Sequence, residues 1–265
     1  MNNSIITGDC LDVLATLPAG SVDLVATDPP FNIGLDYPGY HDRRPVDEYI
    51  AWLAERFQTV RRVLSPTGSL FVAIGQQLQA EVCVMLKQIG FHWRNTIIWH
   101  YTFGPCQRKK FTPSYTPIHY FVMDPQRFTF NADAVSVPSA RQLEYADKRA
   151  NPGGKVPDDV WFVRPQHAET DGFFDPGSDV WHIRREAGTF KGRQKHSCQM
   201  PVAVMERIVL ATTNPGDLVL DPFVGTGTTL VAARRLDRRY LGVELCEATA
   251  AMARNRLETL PMLLW

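Results

Sequence analysis

The sequence lacks paired cysteines, a net charge and any long apolar run. Its five cysteines, Cys10, Cys83, Cys106, Cys198 and Cys246, are scattered with no C-x-x-C pair among them. That spacing fits neither a disulfide framework nor a zinc site, so the thiols are expected to be reduced and packed, and no metal is expected. Lys and Arg number 28 and Asp and Glu number 28, so the formal net charge is zero. No global field advertises a polyanionic partner, and any basic surface must be local. No run of roughly 18 apolar residues and no charged-then-apolar leader stand in the sequence, which makes a cytoplasmic chain with no membrane partner the expectation. With 265 residues, 45% of them hydrophobic, the chain can bury a sizeable core. One α/β domain, or one domain carrying an insertion, follows from a prior of roughly 150 residues per domain.

What is present is an alternation of short apolar runs and helical periods. Ser4–Thr7 reads as a strand leading through Gly8 to a helix start, with Asp9 as its cap or a ligand group. Val22–Thr27 is a second strand. Tyr49, Trp52, Leu53, Phe57, Val60 and Val63 recur at helical spacing between Val46 and Leu64, and Pro66-Thr67-Gly68 closes that segment. Ser69–Ile74, Leu78–Ile89 and Trp93–Trp99 then read as strand, helix and strand, with Ile118–Val122 as a further strand. Such alternation implies parallel strands with crossover helices. It resumes at Met200 with a helix, the strand Leu218–Leu220, a helix over Leu230–Leu236 and the strand Tyr240–Val243.

Between about 124 and 195 the pattern stops. Prolines and glycines are frequent there, and Asp159-Val160-Trp161-Phe162-Val163-Arg164 is nearly repeated by Asp179-Val180-Trp181-His182-Ile183-Arg184. An insertion with short strands and long loops is expected. Its end is basic, with Arg184, Arg185, Lys191 and Arg193, and a second cluster, Arg108-Lys109-Lys110, sits near Tyr101, Phe103 and Phe111. Basic groups interleaved with aromatics suit phosphate contacts and base stacking, although a solvated loop carries the same residues.

Two stretches carry chemistry. Asp28-Pro29-Pro30-Phe31 follows an apolar strand, where a carboxylate can reach a ligand in the crevice beyond the sheet. Two prolines hold the backbone extended and remove two N–H donors, leaving an acceptor-rich corner beside an aromatic ring. That corner could hold an amino group, and a rigid strand exit with a solvated Asp explains the tetrapeptide equally well. After it, Asn32 to Asp42 reads as a mobile loop over the site. The second stretch, Asp221-Pro222-Phe223-Val224-Gly225-Thr226-Gly227-Thr228-Thr229, joins a strand to a helix, and Glu244 ends the next strand. Two glycines permit close backbone approach to a ligand at a helix N-terminus, and an acid at that distance suits ribose hydroxyls. No Gly-Lys-Ser/Thr follows, so this is not a Walker loop. Leu230 stands where a dinucleotide fingerprint needs its third glycine, which disfavours a nicotinamide-dependent dehydrogenase.

Together, TDPPF near the start, DPFVGTGTT near the end and the acid at Glu244 resemble the amino-methyltransferases that modify adenine N6 or cytosine N4 in DNA. With the catalytic motif first, the chain resembles their circularly permuted β class. The resemblance covers Gly8-Asp9, the tetrad and His196 to about Arg256, the two ends rather than the middle. It implies a Rossmann-like α/β methyltransferase fold, a mostly parallel sheet with helices on both faces. The halves would be residues 1–123 and 196–265, with a target-recognition region at 124–195. It also implies S-adenosylmethionine as donor and double-stranded DNA as substrate. Asp28, Pro29, Pro30 and Phe31 would be catalytic. Asp9 would meet the donor's adenine, Glu244 its ribose, and Phe223, Gly225 and Gly227 its methionine end, with Cys10, Asp221, Thr226, Thr228 and Thr229 beside them. His196 and Gln199 match the segment preceding the cofactor motif more loosely, and helix-cap chemistry fits them as well. Class members with Asp first in the tetrad mostly modify adenine and those with Ser mostly cytosine, so Asp28 favours adenine N6. Cytosine N4 on the same fold, and a donor-binding but silent DNA-binding subunit, are the alternatives. Self-association and a cognate restriction endonuclease are expectations of the class.

Overall fold

The computed structural model describes residues 3–37, 39–101, 107–143, 145–163, 173–174, 181–182 and 200–260. The chain opens with β1 (Ser4–Thr7), α1 (Cys10–Ala15) and β2 (Val22–Thr27), then a small hairpin of β3 (Asp36–Tyr37) and β4 (Tyr40–His41). Next come α2 (Val46–Val63), β5 (Leu64–Ala73), α3 (Gln79–Ile89), β6 (His92–Tyr101) and β7 (Tyr115–Val122). Two helical turns, α4 (Ala132–Val135) and α5 (Ala140–Leu143), precede the short strands β8 (Val160–Val163), β9 (Phe173–Phe174) and β10 (Trp181–His182). The chain then returns to regular alternation with α6 (Val202–Thr212), β11 (Leu218–Asp221), α7 (Thr228–Arg235), β12 (Arg239–Glu244) and α8 (Glu247–Glu258).

One sheet of ten strands, ordered β1-β12-β11-β2-β5-β7-β6-β8-β10-β9, contains both chain ends and the middle. From β1 to β5 every pairing is parallel. The expectation of parallel strands fails at β7, which lies antiparallel to both β5 and β6, and at the β9–β10 pair, while β6, β8 and β10 are again parallel neighbours. Only the segment 102–114 joins β6 to β7, with no helix among its described residues, and a parallel partner needs a longer crossover. The repeated segments become sheet neighbours: β8 pairs with β6, and β10 pairs with β8 in parallel with His182 opposite Phe162, the equivalent position of the repeat. The middle region thus adds strands to the common sheet, and α4 and α5 add helical turns that the sequence pattern does not announce.

Burial follows the strand period of two. Leu24 and Ala26 of β2 point to one face and Val25 to the other, and Phe71 and Ala73 of β5 oppose Leu70 and Val72. Helices α1, α2 and α3 cover one face through Leu14, Tyr49, Leu53, Phe57, Val82 and Leu86. Helices α6, α7 and α8 cover the other through Met205, Ile208, Leu230, Val231, Ala250 and Ala253. Strands buried on both sides read as continuous apolar runs rather than as alternating ones, which is why they are recognisable in the sequence. Helix α2 ends where Leu64 turns extended, and α3 ends at Gly90 in the left-handed region (φ 102°). Adjacent strands β11 and β2 send their following helices to opposite faces, so the sheet opens a crevice beyond their C-terminal ends, the position where open α/β sheets bind ligands.

Candidate active site

Four neighbouring parallel strands each deliver an acid at or just beyond their C-terminal end: Asp9 after β1, Glu244 on β12, Asp221 on β11 and Asp28 after β2. A cavity of about 400 Å³ lies beyond them, lined by Asp9, Cys10, Asp28, Pro29, Pro30, Phe31, Phe223, Gly225, Thr226 and Glu244 among others. That volume is in the range of small-ligand sites, about 300 to 1,000 Å³. Ten of the residues expected from the sequence therefore meet at one place, although the two motifs are separated by most of the chain.

Each is held differently. Asp9 caps α1, taking the Leu11 N–H on Oδ1 at 2.9 Å, while Oδ2 receives Arg56 at 2.8 Å. Glu244 accepts the Gly225 N–H on Oε2 and the Cys246 N–H on Oε1, both at 3.0 Å, which pulls the glycine turn against the end of β12. Gly225 (φ 52°) and Gly227 (φ 81°) occupy left-handed conformations costly for other residues, and Gly227 caps α7. Cys10 is buried, and burial pushes its thiol up to about 12, so it contributes shape rather than a thiolate.

Asp28 is partly exposed to the cavity and receives no hydrogen bond from another described residue. Burial, with Asp221 and Glu244 nearby, raises its pKa well above the ordinary carboxylate value. A ligand cation in this crevice opposes that shift by favouring the ionised form. The backbone beside it is rigid: Tyr49 Oη donates to the Pro30 carbonyl at 2.6 Å from the buried face of α2. The Pro30 oxygen is thereby engaged from the α2 side, and Asp28 and the Pro29 carbonyl are the tetrad's acceptors with no hydrogen bond from another described residue.

Four expected contacts do not line the cavity. Asp221 is 1% exposed, with Oδ1 accepting Thr27 Oγ1 at 2.7 Å and the Phe223 N–H at 3.1 Å. It holds β11 to β2 from beneath, and burial raises its pKa to about 6. Gly227 faces Ala253 of α8, and Thr228 accepts a hydrogen bond from Arg256 at 3.1 Å. Thr229 turns back to donate to the Ala26 carbonyl at 3.2 Å. A helix N-terminus can present only its first residues to a ligand, and here the side chains of 228 and 229 point into the protein. His196, Gln199, Arg184, Arg185, Lys191 and Arg193 lie outside the described residues. Arg108, Lys109 and Lys110 are exposed on the segment before β7, beside a fully exposed Phe111. Among the described residues no group of three or more His, Cys, Asp or Glu could hold a metal ion, and no helix is long and apolar enough to cross a membrane.

The segment after the tetrad is more built than its sequence suggests. Asp42, 2% exposed, accepts the backbone N–H groups of Asn32, Ile33, Gly34 and Leu35 on its two carboxylate oxygens. The hairpin β3–β4 brings Tyr37, Gly39 and Tyr40 to the cavity wall, where α2 adds Trp52 and Arg56. The Trp52 ring lies 5.0 Å from Tyr40 and 5.8 Å from Phe223, with the Arg56 guanidinium 4.2 Å from its centre. This aromatic wall escaped sequence reading because Trp52 has helical core spacing and Tyr40 sits among Gly and Pro. The signal available was the density of Tyr and Arg between 37 and 44, unusual for a connecting loop.

Comparisons with known proteins show the family and the fold. Over 261 residues the chain is 30% identical to the type II methyltransferase M.HpaI of Haemophilus parainfluenzae, covering 98% of this chain and 75% of that protein. It is 33% identical to the DNA adenine methyltransferase YhdJ of Escherichia coli K12, covering 96% and 82%. A DNA modification methylase of Thermus thermophilus, solved in complex with S-adenosyl-L-methionine, superposes with a TM-score of 0.61 at 26% identity over 96% of this chain and 94% of that one. Residues 22–255 match the family model described as DNA methylase, the N6-adenine and N4-cytosine type, and the chain belongs to that family.

Proposed function

We propose that the protein transfers a methyl group from S-adenosylmethionine to adenine N6 in DNA. The observation that carries this reading is that Asp28, with no hydrogen bond from another described residue, faces the same cavity as Gly225 and Glu244. The cavity fits the donor by its chemistry: acids suit a cationic sulfonium and ribose hydroxyls, and Trp52, Tyr40 and Phe223 suit a planar base. Glu244 would take the ribose, Asp9 and Cys10 the adenine end, and Phe223, Gly225 and Thr226 the methionine end. The donor supplies a methyl group already bonded to a good leaving group, so no covalent enzyme intermediate is needed.

An exocyclic amine is a weak nucleophile because its lone pair is delocalised into the ring. Asp28 and the Pro29 carbonyl accept its two N–H bonds, which favours a pyramidal nitrogen with its lone pair directed away from them. As the nitrogen becomes cationic on gaining the methyl, its proton grows acidic enough for the carboxylate or water to take. Phe31 stacks on the base. A base inside a duplex cannot enter this cavity, so the target must be flipped out. Asp at position 28 and the adenine-specific relative favour adenine over cytosine.

Arg108, Lys109 and Lys110 belong to this reading as backbone contacts, with residues 124–195 as the target-recognition region between the two halves 1–123 and 196–265. Replacing the three cations with Ala is expected to weaken duplex binding and reduce its salt slope by about one for each phosphate that is no longer neutralised. Cytoplasmic action, the permuted motif order of the β class, self-association and a cognate endonuclease are part of the same proposal. Sedimentation tests the dimer. The central test is tritium transfer from labelled donor to duplexes of mixed sequence, followed by mass spectrometry of the digested nucleosides. N6-methyladenine is expected. N4-methylcytosine would redirect the base assignment, and donor binding with no transfer on any duplex would sink the catalytic reading.

A further inference from the structure

Among the described residues two arginines line the cavity, and their situations differ. Arg56 is buried and paired with Asp9 at 2.8 Å. Arg44 forms no ion pair with any described residue. The acid nearest to it in sequence, Asp42, has both oxygens engaged by the backbone of residues 32–35. The Arg44 backbone is nevertheless fixed, because Asn32 accepts its N–H at 2.7 Å and donates to its carbonyl at 2.9 Å. Its guanidinium carbon stands 5.1 Å from the Tyr40 ring centre and 5.3 Å from that of Trp52. Its guanidinium lies beside the enclosed Tyr40 hydroxyl and favours the ionised phenol there, while neither Arg44 Nε nor that hydroxyl reaches good hydrogen-bond geometry with any described residue.

A planar cation held against two rings on a cavity wall, without a carboxylate of its own, is arranged to receive one. The strand ends of the wall carry the opposite sign, with Arg56 already paired to Asp9, Glu244 engaged by backbone N–H groups and Asp28 taking none from another described residue. A cavity with acids along the strand ends and, among its described residues, one guanidinium without an ion pair on the aromatic wall fits a ligand that is cationic in one part and anionic in another. We propose that Arg44 is the oxyanion anchor of this cavity, binding the α-carboxylate at the amino-acid end of the methyl donor. This rests on the S-adenosylmethionine reading above. A phosphate of the extruded nucleotide presents the same oxyanion chemistry, and the experiment separates the two sources. The forked donors of Arg suit either group, whereas Lys offers only a point charge.

Calorimetry on native protein, Arg44→Met and Arg44→Lys is run with S-adenosylmethionine and with 5′-methylthioadenosine, which lacks the amino-acid end. Arg44→Met is expected to weaken the full donor about tenfold or more and methylthioadenosine less than about twofold, with Arg44→Lys in between. The KM for duplex DNA is measured alongside. A DNA KM raised about tenfold with donor affinity intact keeps the anchor and assigns it to phosphate. Equal weakening of both small ligands would mean that Arg44 only supports the aromatic wall, and unchanged donor and DNA binding would mean that it anchors nothing; either result overturns the proposal. Native protein that binds neither small ligand would instead overturn the donor reading beneath it.

Discussion

Strands β11 and β2 lie side by side and both run into Asp-Pro, yet the two acids serve opposite ends. Asp221 is enclosed, and its Oδ1 accepts Thr27 and the Phe223 N–H. Asp28 opens on the cavity and accepts no hydrogen bond from another described residue. The difference is made by Thr27, the last residue of β2, whose hydroxyl reaches across to Asp221 while the next residue in the chain goes uncommitted. A carboxylate enclosed between strands and bonded to both is a fastening, and one that faces a cavity without a bond from a described neighbour is available to a substrate.

The sharpest way to break that contrast is to remove each acid. Asp28→Ala is expected to lower kcat on the order of 10³-fold while leaving donor affinity within about twofold, read by tritium transfer and calorimetry. A similar loss of donor binding would mean that Asp28 builds the cavity. Asp221→Ala leaves the Thr27 hydroxyl and the Phe223 N–H unpaired in the interior and should cost roughly 2 to 3 kcal/mol in urea unfolding. Stability unchanged within error would remove its role as a fastening.

Proton linkage refines the comparison. With Asp221 raised to about 6 in the fold and near 3.9 in the unfolded chain, the native state holds a proton that the unfolded chain has lost between those values. Its contribution to stability is therefore full below about pH 4 and disappears as pH rises through about 6. Asp221→Asn should flatten that decline by roughly 2 kcal/mol between pH 4 and 7, measured by denaturant unfolding at each pH. An unaltered pH profile would show that Asp221 titrates normally. The shift at Asp28 has the same direction, so transfer by the native enzyme should fall on acidification at a pH above the ordinary carboxylate range.

The smallest expected effect tests the rigidity of the tetrad. Tyr49→Phe removes only the bond to the Pro30 carbonyl and should cost about 1 kcal/mol of stability. As a positioning residue, Tyr49 should affect kcat several-fold with the KM for DNA held. An equal change in both constants would instead indicate a general loosening of α2.

Much of the fold was legible because its physics is local. The doubly buried strands are apolar runs, α2 and α3 carry a helical period, and Gly90 stops α3 where the chain must turn left-handed. The ligand turn was legible for the same reason, since Gly225 and Gly227 meet a conformational demand that few residues satisfy. The antiparallel placement of β7 was not legible, because strand direction depends on what crosses between strands rather than on their composition. Neither was the clamp at Asp42, whose four N–H donors come from residues seven to ten positions earlier. The aromatic wall needs α2 and the hairpin to meet, which no spacing along the chain records.

Taken alone, the sequence determined the chemistry on offer: an acceptor-rich tetrad, a glycine turn, an acid for a ribose, and strands and helices that could carry them. Tertiary structure decided which groups are free to act. It enclosed Asp221 and left Asp28 facing the cavity, paired Arg56 with Asp9 and gave Arg44 no ion pair among the described residues, and turned Thr228 and Thr229 away from the cavity. Residue type sets what a side chain can donate or accept, and only the neighbours that folding brings within hydrogen-bonding reach determine what remains for a ligand.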